Sequence, residues 1–179
     1  MQLKEYASGV KWLHWVVAII VIPMVLGSFY LEDIPKVYRG TAIILHKSFG
    51  FTVLCLMLIR LITIHFYARP ALPAITPKWE FYLARVTQYA LYLALICMPL
   101  SGWIMSTAAG KNLLLYGLFE IPFPGITPNK AFSQTMFTVH EYIAYTIICL
   151  LILHITGAVK HYFYNKDNVL ASMWPWFRR

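Results

Sequence analysis

Four of the six histidines, His14, His46, His140 and His154, fall inside or at the rim of long apolar segments. His140 and His154 are fourteen residues apart in one such segment. On an α-helix that spacing is a rise of ~21 Å and a rotation about 40° short of four full turns. The two side chains therefore face one direction at opposite membrane faces. An ionisable group in hydrocarbon is costly and marks function by default, and neutral imidazole is the usual axial ligand of a buried haem. The spacing predicts two stacked haems. A lone histidine here would read as a polar side chain bonded to a neighbouring helix; four at two matched depths read as two ligand pairs.

The elements that must position them are membrane helices. With 60% apolar and only 12% charged residues in 179, and a mean hydropathy of +0.63, the chain has too little charged surface to cover a soluble globule. Four apolar stretches are long enough to cross ~30 Å of hydrocarbon: Trp12–Tyr30, Thr41–Ile64, Tyr82–Met105 and Thr135–Tyr162. The fold class expected is all-α, an integral membrane four-helix bundle enclosing two haems, with residues 1–179 as a single domain. The first stretch is long for a signal-peptide core, lacks a small-residue cleavage site and already holds His14, so it reads as a retained helix.

An even number of spans puts both termini on one side. That side would carry Lys4, Lys11, Arg60, Arg69, Lys78, Arg85, Lys160, Lys166, Arg178 and Arg179, ten of the fifteen Lys and Arg, against Lys36, Arg39, Lys47, Lys111 and Lys130 on the other. The positive-inside bias then places both termini in the cytoplasm of a bacterial inner membrane. The net charge of +8 is mainly this topology signal, and no basic run interleaved with aromatics suggests nucleic acid. Cys55, Cys97 and Cys149 are odd in number, mid-helix and without paired spacing, which speaks against disulfides or a thiolate metal site. Pro99 interrupts the third span, with Gly102 nearby allowing close approach. ARPALPAITPK (68–78) reads as a cytoplasmic turn. The external loop from about Ser106 to Gln134, which contains LLLYGLFEIPFPGI and is punctuated by Pro122, Pro124 and Pro128, reads as lying on the bundle rather than spanning it.

Helix direction assigns the pairs. His14, early in the first span, and His154, late in the fourth, share the cytoplasmic side; His46 and His140 share the external side. Ligation by two histidines leaves no open position on iron, which suits outer-sphere electron transfer. Gly50 is one turn after His46, and Gly157 nearly one turn after His154, where a macrocycle edge can pass; ordinary small-residue packing explains them as well. Arg60, fourteen residues after His46, lies at the cytoplasmic depth, placed to pair with a haem propionate or simply to snorkel. His161 is seven residues beyond His154 on nearly the same face, and His65 leaves the second span at the same surface; both also suit a solvated interface.

In order and spacing, LHW (Leu13–Trp15), HKSFG (His46–Gly50) followed by LMLIRL (Leu56–Leu61), YLALICMPLSGW ending at Trp103, HEYIAY (His140–Tyr145) and LHITGAVKHYFYNKDNVL (Leu153–Leu170) resemble the bacterial cytochrome b561 family over nearly the whole chain. The resemblance implies haem b on His14, His46, His140 and His154, and electron exchange with quinone. At least one similar family member is a superoxide oxidase, passing electrons from external superoxide through its haems to ubiquinone. Two positions depart from the family pattern: Gln88 stands where many relatives carry histidine, and Ser172 where an arginine often precedes Met-x-Pro.

Three functions compete at this point. A superoxide:ubiquinone oxidoreductase would use Lys36, Arg39 and Lys47 to steer the anionic radical, although Glu32, Asp33, Glu120 and Glu141 partly cancel their field. An electron-carrying cytochrome would instead serve a periplasmic redox protein or act as the membrane subunit of a dehydrogenase or hydrogenase. A non-redox membrane protein would use the histidines structurally or for another metal, which two separated pairs do not favour. Quinone chemistry is expected in KHYFYNKD, where His161 would relay protons and Lys166 would stabilise negative charge, with Tyr162 and Asp167 beside them.

Overall fold

The computed structural model describes residues 6–67, 73 and 76–176, apart from the side chain of His65. Lys4, Arg69, Arg178, Arg179, most of the 68–78 stretch and the His65 side chain lie outside the described residues. Four helices are long and apolar enough to cross a membrane: α1 (Ser8–Ser28), α2 (Lys36–Phe66), α3 (Lys78–Ala108) and α4 (Lys130–Lys160). Each starts before its apolar stretch, at Ser8 rather than Trp12, Lys36 rather than Thr41, Lys78 rather than Tyr82 and Lys130 rather than Thr135. Hydropathy marks only the part that crosses hydrocarbon, while the hydrogen-bond ladder runs on into the polar interface. Pro35 and Pro77 stand just before α2 and α3, where a missing N–H costs nothing, and Asn129 caps α4 by accepting from Phe132 N at 3.0 Å. Pro23 and Pro99 lie within continuous α1 and α3.

Two connections are more regular than hydropathy shows. The long α3–α4 loop does lie on the bundle, as a hairpin of β1 (Leu113–Leu115) and β2 (Phe119–Ile121). Its turn places Tyr116 (φ 48°) and Gly117 (φ 78°) in the left-handed region that hairpin turns require. After Lys160 the chain makes one π-helical turn, His161–Asn165, which Lys166 ends with φ 51° before the short α5 (Val169–Ser172).

The helices pack unevenly. α3 lies closely along α4, α2 along α3 and α1 along α2, whereas α4 has no comparable backbone contact with α1 or α2. Ile147 is accordingly the one described α4 residue that is fully buried. It sits seven residues from both His140 and His154, in an apolar layer with Val17, Val21, Val53, Met57, Tyr92, Ala94 and Leu95. That layer closes the middle of the bundle. Above and below it, side chains rather than backbones bridge α4 to α1 and α2.

Candidate functional site

At the end of the bundle that carries the termini, His14 of α1 and His154 of α4 face each other with ring centroids 6.1 Å apart and planes inclined at 71°. At the hairpin end, His46 of α2 and His140 of α4 do the same at 6.4 Å and 72°. The two pairs predicted from spacing are thus brought together, each between α4 and a helix that it meets through side chains rather than by close backbone approach. An imidazole nitrogen binds a metal at ~2 Å, so two imidazoles on opposite sides of one metal have ring centres roughly 6 Å apart. Both pairs meet that requirement. Two facing imidazoles are a donor set that fits a metal already held in a chelating macrocycle.

Among the described residues, His14 Nδ1 and Arg60 Nε are buried without a hydrogen-bond partner, and buried polar groups are ordinarily paired. Arg60 stacks over Tyr92 at 5.3 Å and faces a small cleft with Tyr6, Thr63, Tyr67, Gln88 and Met173. Gln88, one of the two departures from the family pattern, accepts from Arg85 at 3.2 Å.

The glycines divide. A Cβ at Gly50 would only touch Met24 and Pro99 at 3.9 Å, and one at Gly157 would meet nothing within 4 Å. Gly102 is different: its Cβ would lie 2.9 Å from His140 Cε1, so the imidazole is pressed on the α3 backbone. His140 Nδ1 is also 3.0 Å from both the Met98 carbonyl and Ser101 Oγ. Sequence reading noted Gly102 only as a small residue near Pro99 and missed Ser101 and Met98. The available signal was a Ser-Gly pair in the middle of a bulky apolar run.

The hairpin closes one end. Ser48, fully buried, donates to the Ile44 carbonyl at 2.8 Å and accepts from Tyr116 N at 2.8 Å, and Thr52 Oγ1 meets Tyr116 Oη at 2.7 Å. Trp103 Nε1 donates to the Ile121 carbonyl at 2.8 Å, and its ring meets Phe51 and Phe123 edge to face. Of the cations assigned to steering, Lys36 is exposed. Arg39 is turned onto the Glu32 and Ile34 carbonyls, and Lys47 onto Ser106 Oγ and the Lys111 carbonyl. Those two cations brace loops beside the site as well as contributing charge.

At the other end, Trp15 edges against His14 and donates Nε1 to the Met173 carbonyl at 2.9 Å, with Trp174 packed on Trp15 and Trp176 on Trp12. This C-terminal clasp was not foreseen. On the π-turn, His161 is buried, its Nδ1 2.6 Å from Asp167 Oδ2 and 3.1 Å from Asn165 Nδ2, while Tyr162 and Lys166 are exposed. Asp167 Oδ1 accepts from Val169 N at 3.0 Å, which fixes the carboxylate. Lys160 pairs with Glu80 and lies over Trp79.

This arrangement has counterparts. The family model described as prokaryotic cytochrome b561 matches residues 5–176. The chain belongs to the prokaryotic cytochrome b561 family. It is 32% identical over 166 residues to cytochrome b561 homolog 2 of Escherichia coli, covering 89% of this chain and 86% of that one. It is 30% identical over 179 residues to homolog 1 of the same organism, at 97% and 98% coverage. With a probable superoxide oxidase, CybB, of Yersinia pestis it shares 28% over 174 residues, at 96% and 97% coverage. A b-type haem, electron transport and a multi-pass bacterial membrane location come with the b561 family.

Proposed function

We propose that this b561 protein carries two b haems, one between His14 and His154 and one between His46 and His140, and moves electrons across the inner membrane between the periplasmic face and the quinone pool. The observation that carries this reading is the recurrence of the same facing imidazole pair, 6.1 and 6.4 Å between ring centroids, at both ends of α4. When bound, haem supplies one-electron storage at each end. The chain supplies the rest. Each histidine pair would hold one haem through its imidazole nitrogens, an arrangement that would suit outer-sphere electron transfer. The apolar layer around Ile147 and Met57 separates the two ends and excludes water between them. Arg60, whose Nε has no hydrogen-bond partner among the described residues, would pair with a haem propionate.

The cation bias supports placing the hairpin outside and both termini in the cytoplasm. On that orientation the reading best supported is superoxide:ubiquinone oxidoreductase. Lys36, Arg39 and Lys47 gather positive charge at the outer face, where it attracts an anionic radical, and a relative is called a probable superoxide oxidase. Reducing a quinone requires two electrons and two protons, and the His161–Asp167 pair provides a proton path beside the inner site, with Lys166 left to stabilise anionic charge. The second reading, an electron carrier for a periplasmic redox protein or a dehydrogenase or hydrogenase, draws on the same two pairs and would dock its partner on the hairpin.

Stopped-flow mixing of the purified holoprotein with superoxide, with and without ubiquinone, separates the two. Rapid haem reduction that becomes catalytic superoxide removal when quinone is added is the expected result. Haems that superoxide leaves oxidised would transfer the function to a carrier.

A further inference from the structure

At the terminal end α1 makes no close backbone approach to α4, and on α1 the apolar layer that joins the two begins at Val17, beyond His14. His14 nonetheless faces His154 at 6.1 Å. The chain beyond α4 crosses to α1 at this level. The π-turn and Lys166 (φ 51°) redirect it, and Asp167 secures the turn through His161 Nδ1 at 2.6 Å and Val169 N at 3.0 Å. α5 follows. Trp15, next in sequence to His14 and in edge contact with its ring at 5.6 Å, then donates Nε1 to the Met173 carbonyl at 2.9 Å. That carbonyl stands at the C-terminal end of α5, where a helix leaves acceptors open. Trp174 meets Trp15 edge to face at 5.2 Å, and Trp176 meets Trp12 in the same way at 5.1 Å. Trp12 and Trp15 are three residues apart and so share one face of α1. The clasp is therefore a hydrogen bond flanked by two aromatic contacts.

We propose that Trp15 is a positioning residue for the haem of His14 and His154: through the Met173 carbonyl and Trp174 it fastens the chain beyond α4 to α1, and so fixes where His14 stands opposite His154. This rests on the two-haem reading above. A helix is stiff over one turn, so a tie at Trp15 sets the rotation and depth of its neighbour His14. Without that tie, the terminal end of α1 is held from α2 and the central layer and can splay away from α4. The pair at the hairpin end, His46 on α2 and His140 on α4, takes no part in the clasp. A tryptophan that merely filled space beside His14 would act through the ring contact whether or not the tail were present. Dependence on the tail is what distinguishes the two roles.

The test uses the purified holoprotein, with haem quantified per chain and each low-spin ferric signal in electron paramagnetic resonance assigned by its loss in His14→Ala or in His46→Ala. Such a signal depends on the angle between the two axial imidazole planes, 71° in the terminal-end pair, so it reports position rather than amount. Trp15→Phe keeps an aromatic ring beside His14 and removes the donor. It should shift the terminal-end signal and speed transfer of that haem to apomyoglobin by about two- to tenfold, the equivalent of one hydrogen bond. The hairpin-end signal and haem should stay as they are. A chain that ends at Ser172 should behave alike, and Trp15→Phe within that shorter chain should add nothing, because two changes that remove one contact are not additive. An unshifted terminal-end signal in Trp15→Phe, a matching shift at the hairpin end, or a further shift when Trp15→Phe is added to the shorter chain would overturn the proposal. If the shorter chain does not fold, Trp15→Phe alone decides. One haem per wild-type chain would refute the two-haem reading itself, a different and separately visible outcome.

Discussion

Replacing Gly102 by alanine should separate the hairpin-end site from the stability of the bundle. The added Cβ would stand 2.9 Å from His140 Cε1 and 3.2 Å from Nδ1. Ordinary carbon–carbon contact is ~3.5–4.0 Å, so the ring must retreat by roughly 0.6–1 Å. That retreat would stretch the 3.0 Å bond from Nδ1 to the Met98 carbonyl beyond hydrogen-bonding range. Losing it costs about 0.5–1.5 kcal/mol, and the crowding about 1–3 kcal/mol, while alanine in place of glycine returns about 1 kcal/mol of helix propensity. The terms leave a net cost of about 0.5–3.5 kcal/mol, within what a bundle of four long helices can bear. The effect on ligation is larger, since a histidine displaced by that distance no longer faces His46 correctly. Purified Gly102→Ala should keep its helical circular dichroism and lose close to one haem per chain by haemochrome assay, with the signal of the His14–His154 site unchanged. Gly50→Ala and Gly157→Ala serve as comparators, since the protein itself leaves room for a Cβ at both; haem loss there would report the macrocycle edge. Two haems with unaltered resonance spectra in Gly102→Ala would refute the reasoning.

His14→Ala or His154→Ala should remove one low-spin haem and His46→Ala or His140→Ala the other, read by reduced-minus-oxidised spectra; loss of the same haem from all four would break the pairing. Neutralising Lys36, Arg39 and Lys47 together should slow haem reduction by superoxide and flatten its dependence on ionic strength, because steering weakens as salt screens it. His161→Ala with Lys166→Ala should depress quinone reduction while both haems remain bound and reducible by dithionite, and unimpaired turnover would move the quinone to the hairpin end. Ser48→Ala removes the acceptor of Tyr116 N, at a cost of about 1–3 kcal/mol if that N–H stays buried, and should open the hairpin turn to limited proteolysis at 116–118.

What could be read in the sequence was whatever the hydrocarbon enforces. Spans, the depths of His14, His46, His140 and His154, and the common face of the last two follow from one helical geometry and one solvent, so composition and counting are enough. The hairpin was hidden because five of its six strand residues, all but Glu120, are apolar in a loop that hydropathy alone scores as membrane-like; Tyr-Gly was the local clue to its turn. Ser101 and the Met98 carbonyl were hidden for a different reason. Their partner is 39 and 42 residues away on another helix, and nothing local distinguishes a serine that serves a histidine from one that bonds its own backbone, which Ser101 also does. Arg39 and Lys47 show the converse error: a cation counted as free for steering is spent in part on loop carbonyls that only tertiary structure brings near.

The architecture makes α4 the common element of both sites, and this has a mechanical consequence. His140 and His154 project from one rigid helix, so their separation is fixed by the fourteen-residue rise, whereas their partners His46 and His14 come from two helices that meet α4 only through α3 and the central layer. A change in how α4 lies on α3 would therefore alter both pairs at once. A change confined to α1 would alter only the pair at the terminal end. Ile147 is the pivot of that arrangement, fully buried midway between the two histidines and packed in the layer that includes Val17 and Val21 of α1 and Val53 and Met57 of α2. Truncating it to alanine removes packing from the place where α4 is held to all three other helices, at a cost of about 2–5 kcal/mol. Both haems should then weaken together, in contrast to the one-at-a-time losses expected of every histidine variant.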